Sequence, residues 1–385
     1  MPQKACDRHR LQASSSLAAL WRLDNMKTLS TRLGLTLVVL ALLAAGAAPT
    51  EAATRRYTQI ATGGEHACAI TSRGVAYCWG DNQYGQLGNG DATHTRSTAA
   101  VAVAGGYRFV GLAASKFTTC GITSSGRAYC WGADMNDDGY SLATGMLGSG
   151  AGASSADAPR AVTGGRRFSS ISAGTDHFCG LTSDNRAYCW GGNAYGQLGD
   201  GTTVDSAQPT AVLGTTRYVS ITTAHIYTCG ITVQRGVICW GADRGSAPTM
   251  VLGGRSIVRL EATETDLCGL TNVGKLLCLD TNIFKGVAGA PKYSDLAVGS
   301  GEVYSLCGLQ NNGTVYCWGM ASDPMMLETD LRFKSVAQGG LNMPEGVQFS
   351  CGLTPSGIAY CWGSNEGGQL GNGTLDYSSD PVAVQ

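Results

Sequence analysis

Residues 179–199 read C-G-L-T-S-D-N-R-A-Y-C-W-G-G-N-A-Y-G-Q-L-G, and variants of this stretch recur along the chain. Cysteines mark the copies best, because they form pairs with the constant spacing C-x9-C. The pairs are Cys68 with Cys78, Cys120 with Cys130, Cys179 with Cys189, Cys229 with Cys239, Cys268 with Cys278, Cys307 with Cys317, and Cys351 with Cys361. Of 15 cysteines only Cys6 lies outside the pattern. The chain is therefore an internal repeat with the cysteine stretch at the centre of its unit.

Each copy has the pattern of a β-hairpin. In the first copy, residues 68–71 and 75–78 are short β-type runs around a loop that ends in Gly74. Glycine suits the left-handed position of such a loop; Asn185 and Arg235 replace it in the third and fourth copies. Counting outward places the two cysteines opposite each other at a non-hydrogen-bonded pair, where Cα atoms lie about 4.5 Å apart. The sequence thus predicts one cross-strand disulfide in every copy.

Zinc is the alternative use of paired cysteines, but structural zinc sites favour short C-x2–4-C spacings, and the sequence has none. A disulfide closing a loop of this size contributes about 2 to 3 kcal/mol in the chain-entropy model. Seven such bonds are typical of an oxidising compartment. We therefore expect a secreted, periplasmic or cell-surface protein.

The first 52 residues predict an N-terminal extension followed by a secretory signal peptide. Lys27 and Arg32 precede the apolar run 33–45, and small residues follow it. The run is shorter than the roughly 20 residues of a membrane span. Cleavage would remove Cys6 and leave residues 53–385 as one domain with an even number of cysteines, whether the chain starts at Met1 or at Met26.

The remainder predicts an all-β fold, a seven-bladed β-propeller with four-stranded blades. First cysteines of successive copies lie 39 to 59 residues apart, and the fuller units hold about four short β-type runs. The mature chain begins at the second run of a unit, 57–60, and ends in 380–384, which matches the first run. This phase predicts a ring closed by pairing of the N- and C-terminal strands, which would remove two open sheet edges.

The runs I-A-T-G-G-E-H-A-C-A-I at 60–70 and I-S-A-G-T-D-H-F-C-G-L at 171–181, with W-G-x-N-x-x-G-Q-L-G tails from Trp79, Trp190 and Trp362, resemble repeats of the regulator of chromosome condensation family. The resemblance implies a seven-bladed β-propeller. The founding eukaryotic member is a guanine-nucleotide exchange factor for a small nuclear GTPase and binds nucleosomes, whereas a secreted bacterial relative inhibits β-lactamases. The fold alone therefore does not fix the function.

This chain departs from the nuclear member in its signal peptide and paired cysteines. Its middle units are also eroded: Leu279 replaces the tryptophan, and the fourth to sixth copies lack the Gly-Gln-Leu-Gly tail. The whole sequence has 27 basic and 28 acidic residues, and residues 53–385 hold 21 and 25 of them. This balance predicts no basic patch for nucleic acid or chromatin.

Two sets of candidate residues read as structural because they recur with the repeat. His66 and His177 both stand two residues before a first cysteine, which favours packing or loop hydrogen bonding over catalysis. The aromatic residues of the recurring Tyr-Cys-Trp-Gly run are expected in the core between blades rather than at a ligand-stacking rim.

Asp134, Asn136, Asp138 and the glycine that follows match the first half of a calcium loop. The twelfth position is Gly145 rather than the bidentate glutamate, so a plain polar loop is the alternative, and we predict no cofactor.

Binding is expected at loops that break the period, namely 91–97, 134–148, 322–327 and 341–346. They include apolar candidates that would contact a protein if exposed and pack beneath the rim if buried: Met325, Met326, Leu327, Leu341 and Met343.

The sequence thus predicts a monomeric, non-catalytic binding module for an extracellular protein or glycan. Alternatives are an inhibitor of an extracellular enzyme such as a β-lactamase, a guanine-nucleotide exchange factor, and a propeller enzyme such as a glycan lyase. No cluster of histidine, glutamate or lysine in the sequence breaks the repeat in support of the enzyme.

Overall fold

Antiparallel strands form seven four-stranded sheets in the computed structural model, and each sheet is one blade of a propeller. The structure describes residues 55–137, 142–150, 154–252, 257–262, 267–280, 283–286, 291–298, 305–319, 324–341 and 347–385. They belong to the compact unit Thr54–Gln385. The predicted signal peptide with Cys6, and the candidates Asp138 and Met343, lie outside the described residues. No helix in the described ranges is long and apolar enough to cross a membrane.

The first four blades are built from consecutive strands, except that a small hairpin interrupts blade 2. Blade 1 holds β1 (Tyr57–Thr62), β2 (His66–Thr71), β3 (Ala76–Gly80) and β4 (Ser97–Ala102). Blade 2 holds β5 (Phe109–Ala114), β6 (Thr118–Thr123), β7 (Ala128–Ala133) and β10 (Ser155–Ala161), with β8 (Met135–Asp137) and β9 (Leu142–Thr144) as a separate pair. Blade 3 holds β11 (Phe168–Ala173), β12 (His177–Thr182), β13 (Ala187–Gly191) and β14 (Ser206–Ala211). Blade 4 holds β15 (Tyr218–Thr223), β16 (Tyr227–Thr232), β17 (Val237–Gly241) and β18 (Gly245–Leu252).

The last three blades follow the same order. Blade 5 holds β19 (Ile257–Ala262), β20 (Leu267–Thr271), β21 (Leu276–Asp280) and β22 (Ile283–Gly286). Blade 6 holds β23 (Asp295–Val298), β24 (Ser305–Leu309), β25 (Val315–Gly319) and β26 (Met325–Met326). Blade 7 holds β27 (Ser335–Leu341), β28 (Val347–Leu353), β29 (Ala359–Gly363) and β30 (Ser378–Ala383). One short 3-10 helix, Ala104–Gly106, follows blade 1.

The predicted hairpin register is confirmed in all seven blades. The two cysteines of each copy lie directly opposite each other on the second and third strands, at bonding distance and with Cα atoms 4.0 to 4.1 Å apart. From blade 1 to blade 7 the bonded pairs are Cys68 with Cys78, Cys120 with Cys130, Cys179 with Cys189, Cys229 with Cys239, Cys268 with Cys278, Cys307 with Cys317, and Cys351 with Cys361. Each blade therefore carries its own cross-strand disulfide.

The hairpin loops also have the predicted backbone. The position expected to be left-handed has a positive φ, 79° at Gly74, 65° at Asn185 and 66° even at Arg235. Asparagine tolerates this conformation better than most residues that carry a side chain. Arginine adopts it here although nothing in the sequence of the fourth copy favours it.

The predicted closure by pairing of N- and C-terminal strands is wrong. β1 pairs within blade 1 and β30 pairs with β29 within blade 7, so each blade is a contiguous segment. The run assumed to open a unit is in fact the outer strand that ends the preceding blade, as β10 does beside β7. Side chains and loops close the ring instead: the Trp79 indole of blade 1 donates a hydrogen bond of 2.9 Å to the Gln369 carbonyl of blade 7.

Both faces of a blade are apolar because each packs against a neighbour. Cys68, Ile70, Ala76 and Cys78 form one cluster with Phe109 and Trp131 of blade 2. The opposite faces of the same two strands contribute Ala67, Ala69 and Trp79 to a cluster with blade 7. The recurring aromatic residues thus lie in the core between blades, as predicted.

A tail from one blade holds the tryptophan of the next. Trp131 donates to the Gln86 carbonyl at 3.0 Å, and a Cβ added to Gly88 at the end of that tail would lie 2.5 Å from the indole. The same bond joins Trp190 to the Met146 carbonyl and Trp240 to the Gln197 carbonyl. Residues 145–148, G-M-L-G, are therefore a second-unit tail that the sequence analysis treated as insertion.

This contact explains the missing tryptophan of blade 5. Blade 4 has no tail, so no carbonyl of that kind faces position 279, where leucine stands and is partly buried. Tryptophans that follow a tail, such as Trp131, are completely buried, whereas Trp362, which follows the tail-less blade 6, is 8% exposed. The tail thus allows complete burial of the following indole; without it the tryptophan is less completely buried, as in blades 6 and 7, or is replaced by leucine, as in blade 5.

Candidate functional site

The two repeat-position histidines join neighbouring blades. His66 Nε2 lies 2.8 Å from Thr119 Oγ1, and that hydroxyl donates its own proton to the Gln86 carbonyl, so the imidazole must donate through Nε2. His177 makes the same contact with Thr228 at 2.7 Å. Burial lowers the pKa of both imidazoles to about 3. These histidines are neutral clamps between blades, and their geometry gives them a structural role.

Asp134 occupies the asparagine position of the tail motif. Its Oδ1 accepts a hydrogen bond of 2.7 Å from the Leu147 backbone N–H, as Asn82 does for Leu87 and Asn193 for Leu198. Burial raises the pKa of the Asp134 carboxyl. One oxygen of this calcium candidate therefore organises its own loop. Of its two predicted partners, the Asn136 side chain and the whole of Asp138 lie outside the described residues.

The apolar rim candidates separate into exposed and packed residues. Met325 is 72% exposed and Met326 51% exposed on β26, whereas Leu327 packs against the cluster between blades 6 and 7. β26 has two residues, against four to eight in the other outer strands. The Leu341 side chain lies outside the described residues. Blade 6 therefore ends in a short outer strand that presents two methionines to solvent.

A charged cluster that the sequence analysis missed lies in the central channel. Innermost strands of the blades surround a hollow of about 230 Å³, lined by side chains such as Ala113 and Ser172. Blades 5 and 6 add charges: Arg259 Nη2 lies 3.0 Å from Glu261 Oε1, and Arg259 Nη1 lies 2.5 Å from Asp295 Oδ1. One guanidinium therefore bridges two carboxylates at the channel wall.

The sequence shows the three charged residues, but it does not show that they contact one another in the folded protein. Arg259 and Glu261 are two residues apart and so face the same side of β19, while Asp295 comes from the next blade. At the Glu261 position the other inner strands carry alanine, serine or threonine. Aligning the inner strands by position would have shown the departure from the repeat.

The cluster makes Glu261 an unusual carboxyl. Burial, helped by the negative charge of Asp295 and opposed by Arg259, raises its pKa to about 7. We expect the Glu261 carboxyl to titrate near neutral pH in carbon-13 NMR, and Arg259→Met to move the midpoint higher because it removes the opposing positive charge. Arg244→Met, in a loop of blade 4, is the control that leaves it unchanged. A midpoint near 4.5, or one that Arg259→Met does not move, would contradict this account.

Comparison with known proteins agrees with this architecture. Models of the regulator of chromosome condensation (RCC1) repeat match residues 57–86, 101–139, 168–197, 184–231 and 346–369. The matched segments lie in blades 1 to 4 and 7, and blades 5 and 6 are unmatched. The protein is thus a disulfide-bonded seven-bladed propeller. Segments in five of its blades match the RCC1 repeat.

Three known proteins illustrate what this chain is similar to. The ultraviolet-B receptor UVR8 of Arabidopsis thaliana is 33% identical over 151 residues, 39% of this chain and 32% of the receptor. The ectodomain of the Arabidopsis thaliana receptor kinase ACR4 superposes with a TM-score of 0.54 at 18% identity, over 86% of this chain and 99% of that one. Prp20p of Saccharomyces cerevisiae superposes with a TM-score of 0.52 at 19% identity, over 85% of this chain and 76% of Prp20p. The chain therefore spans about a third of the ultraviolet-B receptor.

Proposed function

We propose that the protein is a non-catalytic binding module that works outside the cytosol, secreted, in a periplasm or at a cell surface, and that recognises a protein partner through the outer edge of blade 6. The observation that carries this proposal is the exposure of Met325 and Met326 on β26. Methionine is flexible and polarisable, which suits it to contact surfaces.

The rest of the molecule supplies a rigid support for such an edge. Seven cysteine pairs at bonding distance are typical of proteins outside the reducing cytosol. One solved structure of this fold, that of Prp20p, was reported with its binding properties to Gsp1p and histones, and another is the ectodomain of a receptor kinase. These parallels support a binding role for this chain.

The test is capture of a partner from the extracellular fraction of the source organism on immobilised protein. We expect one protein to be retained by the parent chain and lost with Met325→Lys. Met250→Lys is the matched control, because Met250 is also an exposed methionine, 57% exposed, on the outer strand of blade 4. Equal retention by both variants, or retention of nothing by the parent, would refute the proposed edge.

The identity of the captured protein separates the narrower alternatives. If the protein is a hydrolase, such as a β-lactamase, and loses activity in a 1:1 complex, the module is an enzyme inhibitor. A small GTPase that releases nucleotide on binding would instead restore the exchange-factor hypothesis and contradict a role outside the cytosol.

A further inference from the structure

Strand order sorts the connections of the propeller onto two faces. Inner strands such as β1 all run in one direction, so the turns between the second and third strands lie on the same side as the links from each outer strand to the next blade. We call this side the hairpin face. The loops between the first and second strands, and the tails between the third and outer strands, lie on the opposite side, the tail face.

Charges of the described residues separate between the two faces. The connections on the hairpin face hold fourteen basic residues and three acidic ones, Asp184, Glu328 and Asp330. The basic residues are Arg55, Arg56, Arg73, Arg108, Arg127, Arg166, Arg167, Arg186, Arg217, Arg235, Lys275, Lys292, Arg332 and Lys334. The described connections of the tail face, outside the β8–β9 hairpin, hold Arg96, Lys116 and Arg244 against Glu65, Asp81, Asp91, Asp134, Asp176, Asp200, Asp205, Asp243, Glu366 and Asp376. A near-neutral chain therefore has one strongly basic face.

The basic residues recur in two regions of the repeat. One is the position directly before the aromatic residue that leads into the inner strand, such as Tyr57 or Phe168, and it is basic in six blades. The other is the hairpin loop, which holds a basic residue in blades 1 to 5, although not at one fixed position. At the first position, Arg56 and Arg167 donate to backbone carbonyls in the hairpin of the preceding blade, at 2.7 and 2.6 Å. These bonds fix where the guanidinium groups stand. They leave the positive charges without a counter-charge.

The two faces use their charges differently. Carboxylates on the tail face organise loops, since Asp81 accepts from Gln86 and Asp205 from the Asn193 backbone. On the hairpin face twelve of the fourteen basic side chains are exposed. Among the described ion pairs there, only Arg186 and Arg217 contact a carboxylate, that of Asp184. The basic face therefore has charge available for a partner.

Two hollows on the hairpin face place hydroxyl groups beside guanidinium groups. One of about 360 Å³ is lined by Arg73 and Arg108 together with Thr71, Ser72 and Ser124. Another of about 490 Å³ combines Arg217 with threonines of blade 4. Guanidinium groups bind carboxylate and sulfate oxygens in forked pairs, and hydroxyls both donate and accept hydrogen bonds, as sugar hydroxyls require.

We propose that the hairpin face binds an acidic polysaccharide. Basic residues that recur around the hairpin face are complementary in charge to a polymer with one negative charge in each repeating unit. The hydroxyl-lined hollows can form hydrogen bonds with its sugars. Single-stranded nucleic acid fits less well, because stacking needs aromatic rings and the exposed aromatic residues among those described, Tyr195 and Tyr377, lie on the tail face. This site is separate from the methionine edge of blade 6.

The experiment measures binding of polygalacturonate, with neutral dextran and a DNA duplex of equal charge for comparison. Arg73→Glu with Arg108→Glu reverses two charges at the smaller hollow. Arg96→Glu with Lys116→Glu is the matched control, since it makes the same charge change in the same two blades on the tail face. We expect the hairpin-face pair to weaken polygalacturonate binding at least about tenfold and to flatten its salt dependence, and the control pair to change it less than about twofold.

Equal weakening by both pairs would overturn the proposal, because it would show an effect of net charge alone. So would no binding by the parent, binding of dextran as tight as that of polygalacturonate, or tighter binding of the duplex. Each variant is first checked for a parental melting temperature. Met325→Lys is expected to bind polygalacturonate like the parent, so failure of this site and failure of the protein-binding edge are distinguishable.

Discussion

At pH 4.5 the free energy of unfolding is expected to be about 2 to 3 kcal/mol lower than at pH 7.5 for each of the two buried histidines, His66 and His177. Both are fully buried, and burial holds their pKa at about 3, below the ordinary 6.5. Between these values the unfolded chain binds a proton that the folded chain does not. Stability therefore rises with pH through this window and is lost as the pH falls from about 6.5 toward 3.

Urea unfolding at several pH values measures this slope. His66→Gln keeps a donor near Thr119 but removes the titrating group, so its unfolding free energy should vary less steeply with pH, by about 1.4 kcal/mol per pH unit. His94→Gln is the control, because His94 is partly exposed and contacts Asp157 in blade 2. If His66→Gln and the parent show the same pH dependence between 6.5 and 4.5, the neutral-clamp assignment is wrong.

Replacing Trp131 with alanine is expected to cost about 3 to 5 kcal/mol of unfolding free energy. The indole is completely buried, packs near Phe109 and donates to the Gln86 carbonyl of the preceding blade. Its loss leaves a cavity and releases the tail that rests on it.

Trp318→Ala is the matched comparison in a blade that follows no tail. Trp318 is only partly buried, so we expect a cost below about 3 kcal/mol. Chemical denaturation of both variants gives the two values. Equal costs would show that the tail contact does not set the importance of this tryptophan.

Local features of the fold could be predicted because they depend on neighbouring residues. The spacing between Cys68 and Cys78, with Gly74 between them, determines register, disulfide and turn together. The closure of the ring could not be predicted in this way, because a periodic sequence does not show where its unit begins. The run near Pro159 serves equally well as a first strand or as the last strand of the blade before.

The functional surfaces were harder to predict because they combine distant residues. Arg259 and Asp295 meet only when two blades stand side by side around the channel. The basic face was hidden because net charge adds both faces together, so the tail-face carboxylates cancel the arginines of the hairpin face. The role of Asp134 in the tail was missed for a local reason: the residues inserted after it separate it from the Gly145 end of that tail.

The measurement that tests the central claim most directly is disulfide mapping of the native protein by mass spectrometry of peptides, before and after reduction. The account predicts seven bonds, each joining the two cysteines of one C-x9-C pair within one blade, and no free thiol among those 14 cysteines. Free thiols at these positions, or bonds between cysteines of different blades, would contradict the disulfide-bonded propeller and the extracellular binding role proposed on it.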